Sequence, residues 1–483
     1  MSILQGLEPA SVFHYFEEIC AIPHTSYHEQ QLSDYCAAFA KDHGLFYQQD
    51  DMGNILIVAD ATPGYANEES VILQGHLDMV GDKTADCTLD LEKDGLELYI
   101  DGDFIRAKGT TLGGDDGIAV AYGLAILDAK DIPHPRLEVI FTVSEEVGLL
   151  GASAMDLSIC KARKMINVDS EIEGIFTAGC AGGRRGWCTI PVNRAMKRGL
   201  LCTITLNGLL GGHSGTEIHK GRANANVLMG RFLLTLTEEI SYGLLELSGG
   251  AKENVIPKES KAVLIVSDDD IEELKETIDE FQKLMETEYG TSDPDIKISF
   301  AVDDIEDEIE LVLDNPSLDR VITLLALMPN GVQTMSADLP GLVESSLNNG
   351  FMLLENDSFQ IRLSIRSSVA SIKDFISSKV RQLTEMMDGS VEFIGDYPAW
   401  PYARNSKLRD QCIQIYKEQY GKEPKVELLH AGLECGIFSG KIEGLDCISF
   451  GPDLIDIHTP NEHMSISSVQ RVWEFLKALL AEK

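Results

Sequence analysis

The sequence contains no CxxC pair and no dense run among its ten cysteines, although it is 483 residues long. That absence argues against a zinc knuckle or a disulfide framework. It fits thiols used as small buried hydrophobes in a reducing compartment. Positive charge is also scarce: 40 Lys and Arg stand against 78 Asp and Glu, a formal net charge of −38. A field of that sign repels phosphate backbones and anionic bilayers, so neither nucleic acid nor a membrane is an expected partner. Nowhere is there a run of ~18 uncharged apolar residues, the least a spanning helix needs. The first residues lack the basic start and apolar stretch of a signal peptide, so a cytoplasmic location is expected.

What is present is the composition of a folded protein, 44% hydrophobic and 24% charged. At about 150 residues per domain, the length suggests two or three units. Up to about position 180 the pattern alternates. Helical periodicity covers 11–22 and 28–43, strand-like apolar runs cover 54–59, 70–77, 137–143 and 164–168, and an apolar helix covers 117–129. Such alternation predicts an α/β fold with a mostly parallel sheet. From 186 to 398 the texture changes to longer alternating strands and amphipathic helices, read as a separate α+β domain whose rhythm suggests two related halves. The closing stretch carries a helix at 407–420, a strand at 447–450 and a helix at 467–481. It also carries a candidate ligand, so it is expected to rejoin the first domain. The domains predicted are therefore 1–185 with 399–483, and an insertion at 186–398.

Five segments carry chemistry. In LQGHLDMV, His76 and Asp78 lie two apart at a strand end and so share a face. GTTLGGDDGIAVA places the acidic pair of Asp115 and its neighbour before an apolar helix, where a plain cap is the bland reading. FTVSEEVGLLGA ends a buried strand on Glu145 and Glu146; INVDSE ends another on Asp169; and FGPDLIDIHTPNEHMSI sets His458 after the strand at 447–450. Taken singly, each is ordinary. In an open α/β sheet, however, ligands bind outside the carboxyl ends of the strands. Two imidazoles and three carboxylates gathered there suit two cations about 3.5–4 Å apart bridged by one carboxylate. Crowding and burial would also raise a carboxylate's pKa and fit one of the adjacent pair for base catalysis.

The sequence resembles the M20 metallopeptidases, and among them the bacterial aminoacyl-histidine (Xaa-His, carnosinase-like) dipeptidases. LQGHLDMV, GTTLGGDDGIAVA, SEEVGLLGA, NVDSE, GCAGG and GGHSG occur in the expected order over nearly the full chain. The resemblance implies a zinc-exopeptidase catalytic domain carrying an inserted α+β lid. It implies that His76 and Asp169 hold one divalent ion, that Glu146 and His458 hold the other, that Asp115 bridges them, and that the peptide bond after Asp115 is cis. The ions are expected to be zinc, with cobalt or manganese as substitutes. Asp78 would orient His76, and Glu145 would serve as general base on a shared hydroxide. In the lid, His213 would polarise the scissile carbonyl, while Asn254 and Arg366 would hold the substrate backbone and carboxylate. HAGLECGIF resembles a substrate-binding loop, which brings in Gly432 and Glu434. His14, His24, His28, His43, His134, His219, His430 and His463 are read as structural or surface residues. The activity implied is hydrolysis of dipeptides, Xaa-His among a broader set, with another amidohydrolase (a deacylase or aminopeptidase) as the alternative. Whether the lid forms a homodimer or mimics a partner within one chain stays open.

Overall fold

A computed structural model describes residues 3–302, 308–337 and 339–483. The chain divides into two compact units, Met1–Cys180 with Trp400–Leu429 and Leu433–Lys483, and Ala181–Ala399 with His430–Gly432. The sequence placed the two breaks at 185/186 and 398/399. It did not anticipate that residues 430–432 belong with the insertion.

The first unit is built on an eight-stranded sheet. Its order is Phe46–Gln49, Ile55–Ala59, Leu137–Thr142, Val71–His76, Lys164–Asn167, Asp446–Ser449, Ile175–Cys180 and Lys425–Leu429. The four central strands, Leu137–Thr142 to Asp446–Ser449, run parallel. His76 is in register with Thr142, Gln74 with Asn167, and Asn167 with Ser449, so these strands finish along one edge. Helix Gly114–Asp128 is apolar all round, and residues 114–127 are all buried. It packs against helix Ala10–Cys20 and strand Val71–His76. Contact with the strand is close enough to explain Gly75: a Cβ there would lie 2.4 Å from the Ala119 Cβ. A second sheet of four short strands runs Leu454–Ile455, His463–Ser465, Phe104–Ala107 and Leu98–Asp101. It ties the segment around His458 to the one that leads into Asp115.

The second unit holds a ten-stranded antiparallel sheet with a repeated topology. Strand Arg194–Asn207, helix Ala225–Glu239, strands Tyr242–Gly250 and Ser260–Val266, helix Ile271–Tyr289 and strand Lys297–Val302 form one βαββαβ module. Strand Gly182–Pro191, helix Asn315–Leu327, strands Val343–Leu354 and Ser358–Ser367, helix Ala370–Met386 and strand Ser390–Tyr397 form another. The first module is spliced into the second after its opening strand. Each module has its opening strand between its third and fourth, and the two second strands join at residues 248–250 and 351–353. The repeat heard in the sequence rhythm is thus a repeat of topology.

Candidate metal centre

At the shared edge of the parallel strands, His76, Asp115, Glu146, Asp169 and His458 come together. Asp115 faces both imidazoles: its Oδ1 lies 3.2 Å from His76 Nε2 and its Oδ2 lies 3.1 Å from His458 Nε2. Asp169 Oδ1 is 3.9 Å from His76 Nε2, and Glu146 Oε1 is 2.8 Å from His458 Nε2. Three groups have ligand atoms close enough to share an ion: His76 with Asp116 and Asp169, His76 with Glu145 and Glu146, and Asp115 with Glu146 and His458.

Local backbone explains how neighbouring residues reach one place. The Asp115–Asp116 peptide bond is cis. Ser144, just before the two glutamates, sits in the left-handed region at φ 53. Its amide and hydroxyl are held by the buried Glu29 carboxylate at 2.9 and 3.0 Å. After that kink, the amides of Glu145 and Glu146 donate to the two oxygens of Asp78 at 2.8 and 3.2 Å. His458, also left-handed at φ 61, projects from a turn between the short strands Leu454–Ile455 and His463–Ser465.

The orientation of His76 differs in detail from the sequence expectation. Its Nδ1 donates to the Asp78 backbone carbonyl at 2.9 Å, while the Asp78 carboxylate stands at 3.5 Å. The shorter, aligned contact fixes the tautomer and leaves the Nε2 lone pair facing the acids. The Asp78 carboxylate chiefly holds the Glu145–Glu146 backbone.

The electrostatics call for a cation. Among the described residues, the ion pairs of Asp115, Glu146 and Asp169 run only to His76 and His458. Burial pushes Glu145, Asp116 and Asp169 well above the usual carboxylate range, and Glu146 is raised for the same reason. Asp115 is held low, because hydrogen bonds from His458 and His76 outweigh its burial. Burial opposes charge on His458 too, yet Asp115 and Glu146 drive it up to about 11. Protons are thus retained where positive charge is needed. Asp116 Oδ1 is also buried without accepting a hydrogen bond from any described residue. Hard carboxylate oxygens with two imidazoles are a donor set for divalent ions, and binding would release those protons.

Comparison with known proteins gives the family. Over its full length the chain is 38% identical to the cytosol non-specific dipeptidase of Escherichia coli, in an alignment spanning 99% of that protein. The chain belongs to the M20 peptidase family. Residues 204–293 match the family model described as a peptidase dimerisation domain. The aminoacylhistidine dipeptidase of Vibrio alginolyticus is 36% identical and superposes with a TM-score of 0.90, over 99% of this chain and 97% of that one. At 15% identity, the aminopeptidase PepT of Bacillus cereus shares the fold over 98% of each chain, with a TM-score of 0.56. As an M20 peptidase, this chain is a hydrolase of peptide bonds.

The second unit holds His213, Asn254, Arg366 and Gly432. His213 pairs with Val255 in a two-stranded ribbon, and the Ser214 amide donates to the Asn254 carbonyl at 2.9 Å. Asn348 fixes that loop by donating to the carbonyls of Glu253 and Val255, both at 2.8 Å. Arg366 is buried and donates from Nη1 to the Tyr397 hydroxyl at 2.9 Å. Among the described residues its Nε has no acceptor and no carboxylate pairs with it. Gly432 lies under the Tyr397 ring, where a Cβ would come within 2.7 Å.

Several partners escaped the sequence reading. His430 is buried, with Nε2 2.7 Å from the Ser346 hydroxyl. Burial, then the charges of Arg366, His213 and His219, holds it down to about 3, so it stays neutral. Glu462 accepts from the four consecutive amides of residues 112–115 at 2.7, 3.1, 2.8 and 3.4 Å, clamping the backbone that presents Asp115. Glu434, expected to line the substrate site, is fully buried beside the strand ends. It accepts from Thr142 at 2.6 Å and from Gln74, and burial raises it to about 7.

Proposed function

We propose that this M20 peptidase is a dipeptidase working with two divalent cations, zinc in the first instance, and that it accepts Xaa-His among a broader set of dipeptides. The observation that carries the reading is Asp115, whose two oxygens face two different histidines, each with another carboxylate beside it. His76 and Asp169 would hold one ion and His458 and Glu146 the other, with Asp115 shared. When bound, the pair supplies Lewis acidity to the scissile carbonyl and lowers the pKa of the attacking water.

The protein's own groups do the rest. Glu145 takes the proton of the attacking water and returns it to the leaving amine; its raised pKa suits both tasks near neutrality. Asp78 keeps Glu145 and Glu146 apart by holding both amides. His213 donates to the developing oxyanion, Asn254 holds the substrate backbone, and Arg366 pairs with the free carboxylate. The names of two full-length relatives, a non-specific dipeptidase and an aminoacylhistidine dipeptidase, support this substrate class. The matched dimerisation-domain model supports a second copy of the chain as partner.

The test is a metal-analysed assay on dipeptides, with and without C-terminal His, alongside tripeptides and N-acyl amino acids. Dipeptides should be cut at least ten-fold more efficiently than the other two classes, and Xaa-His should be among them. Faster cleavage of N-acyl amino acids would make the protein a deacylase instead.

A further inference from the structure

Beside the metal centre, and wholly within the first unit, a groove of about 540 Å³ opens between residues 25–28 and residues 79–92. Its inner wall includes Glu146, which belongs to the metal centre. The two long walls are tied together by backbone. The Ser26 amide donates to the Met79 carbonyl at 3.2 Å, and the Met79 amide donates to the His24 carbonyl at 3.1 Å. The Ser26 hydroxyl also donates to Asp78 at 2.8 Å. Tyr27 lines the groove 67% exposed and is held in the left-handed region at φ 72. A bulky residue rarely adopts that conformation, and a large ring gains nothing from standing in water. The protein therefore keeps an aromatic surface uncovered beside the acids that would hold the metals.

The chemistry of the lining selects an occupant. Met79, Val80 and Leu91 offer an apolar floor. Asp90 and Glu92 stand on the outer wall. The Lys83 ammonium donates to the Leu89 carbonyl at 2.5 Å and Asp90 is paired with Lys93 at 2.6 Å, whereas among the described residues Glu92 has only His28, 3.5 Å away, as its ion-pair partner. Glu92, the acid of this wall with no lysine or arginine pairing it among the described residues, disfavours a free carboxylate and so the C-terminal half of a dipeptide. The residue whose carbonyl is cut is the N-terminal one, and it carries an ammonium that acids tolerate.

We propose that this groove receives the side chain of the substrate's N-terminal residue and favours a long apolar stem ending in a cation, as in lysine or arginine. The inference rests on the dipeptidase reading. The stem lies along Met79 and Leu91 under Tyr27, and the cation meets Glu92 in place of the His28 ring. The closing experiment measures kcat/KM for Lys-Ala, Leu-Ala, Gly-Ala and Glu-Ala in wild type, Leu91→Trp, Glu92→Gln and Glu92→Lys, all checked for metal content and melting temperature. Wild type should rank Lys-Ala first and Glu-Ala last. Filling the groove with Leu91→Trp should lower the Lys-Ala to Gly-Ala ratio at least about ten-fold. Glu92→Gln should lower the Lys-Ala to Leu-Ala ratio by about three- to five-fold, the scale of an exposed ion pair. Glu92→Lys, an exposed change that spares the fold, should move Glu-Ala above Lys-Ala. Ratios that stay constant while all four substrates fall together would overturn the groove assignment and leave the dipeptidase reading standing. A metal-loaded wild type that cuts no dipeptide would remove both.

Discussion

In the first unit, four parallel strands stop along one edge; His76 closes one of them, Glu145, Glu146 and Asp169 follow two others within a few residues, and Asp115 and His458 come from segments tied to the small second sheet. In the second, the sheet is antiparallel, and Arg366 sits inside strand Ser358–Ser367, opposite Ser346 on one side and Gly183 on the other. Its neighbours come from Tyr397 and from the visiting segment at 430–432. Parallel strands deliver groups to a common end, whatever lies between them. Antiparallel strands deliver groups to a common face, and only if the register is right. The first arrangement crowds charge until an outside cation is required. The second leaves a buried guanidinium with spare donors, suited to an anion.

The comparison breaks most severely if the strand-end cluster works without metal. Chelation should abolish hydrolysis, and zinc, cobalt or manganese should restore it. Asp115→Asn should lose both metal and turnover, because one side chain serves both histidines. Full activity in a sample shown by elemental analysis to be metal-free would reduce the cluster to an acid network. Next in size is the division between the adjacent glutamates. Glu145→Gln should keep its metal and lose at least ~10²-fold in kcat, the scale of a positioned general base. Glu146→Gln should lose metal affinity first. Equal metal loss in both, with normal turnover per bound metal in Glu145→Gln, would reverse these roles.

How much of this the sequence discloses follows from the same contrast. His76, Glu145, Glu146 and Asp169 were legible because each interrupts or closes a buried apolar run, and a parallel sheet turns such positions into neighbours. Helices 11–22 and 28–43 were legible by periodicity and appear as Ala10–Cys20 and Gln30–Asp42. Strand Gly182–Pro191 was not, since its glycines and paired arginines mask the alternation. Nor were the two- and three-residue strands that flank His458, which are too short to have a period. Glu29, Glu462 and His430 act on groups more than eighty positions away. The first two grip mainly backbone amides, which leave no mark on side-chain patterning.

Glu462 gives a smaller and sharper test of the strand-end picture, because it acts on Asp115 only through backbone. Glu462→Gln replaces one acceptor oxygen by a donor that confronts amides already pointing at it. Metal affinity should fall about 10–100-fold, as when a ligand's supporting partner is lost. At saturating metal, kcat should recover, which a general loss of folded protein would not allow. Unchanged metal affinity would show that the Asp115 backbone holds its geometry without the clamp.

The smallest expected effect tests the second sheet. A metal pair sees only the scissile carbonyl, so substrate length must be read by a group that grips the carboxylate one residue beyond the cut. Arg366 fits on physical grounds: it is buried, and among the described residues its side chain hydrogen-bonds to Tyr397 alone while its Nε meets no acceptor. A guanidinium also offers a carboxylate a planar two-point match that lysine does not. Leaving such donors unmet costs stability, which binding of an anion would recover. Arg366→Met should therefore lower kcat/KM for dipeptides by about ten-fold, near the lower end of the ~1.5–3 kcal/mol ascribed to a hydrogen bond with a charged group. Amidating the substrate's C-terminus in wild type should cost a similar factor. Combining the two should cost little more than either alone, because each removes one half of the same contact. Losses that multiply in the double cycle would place the carboxylate elsewhere and leave Arg366 as a strut for Tyr397.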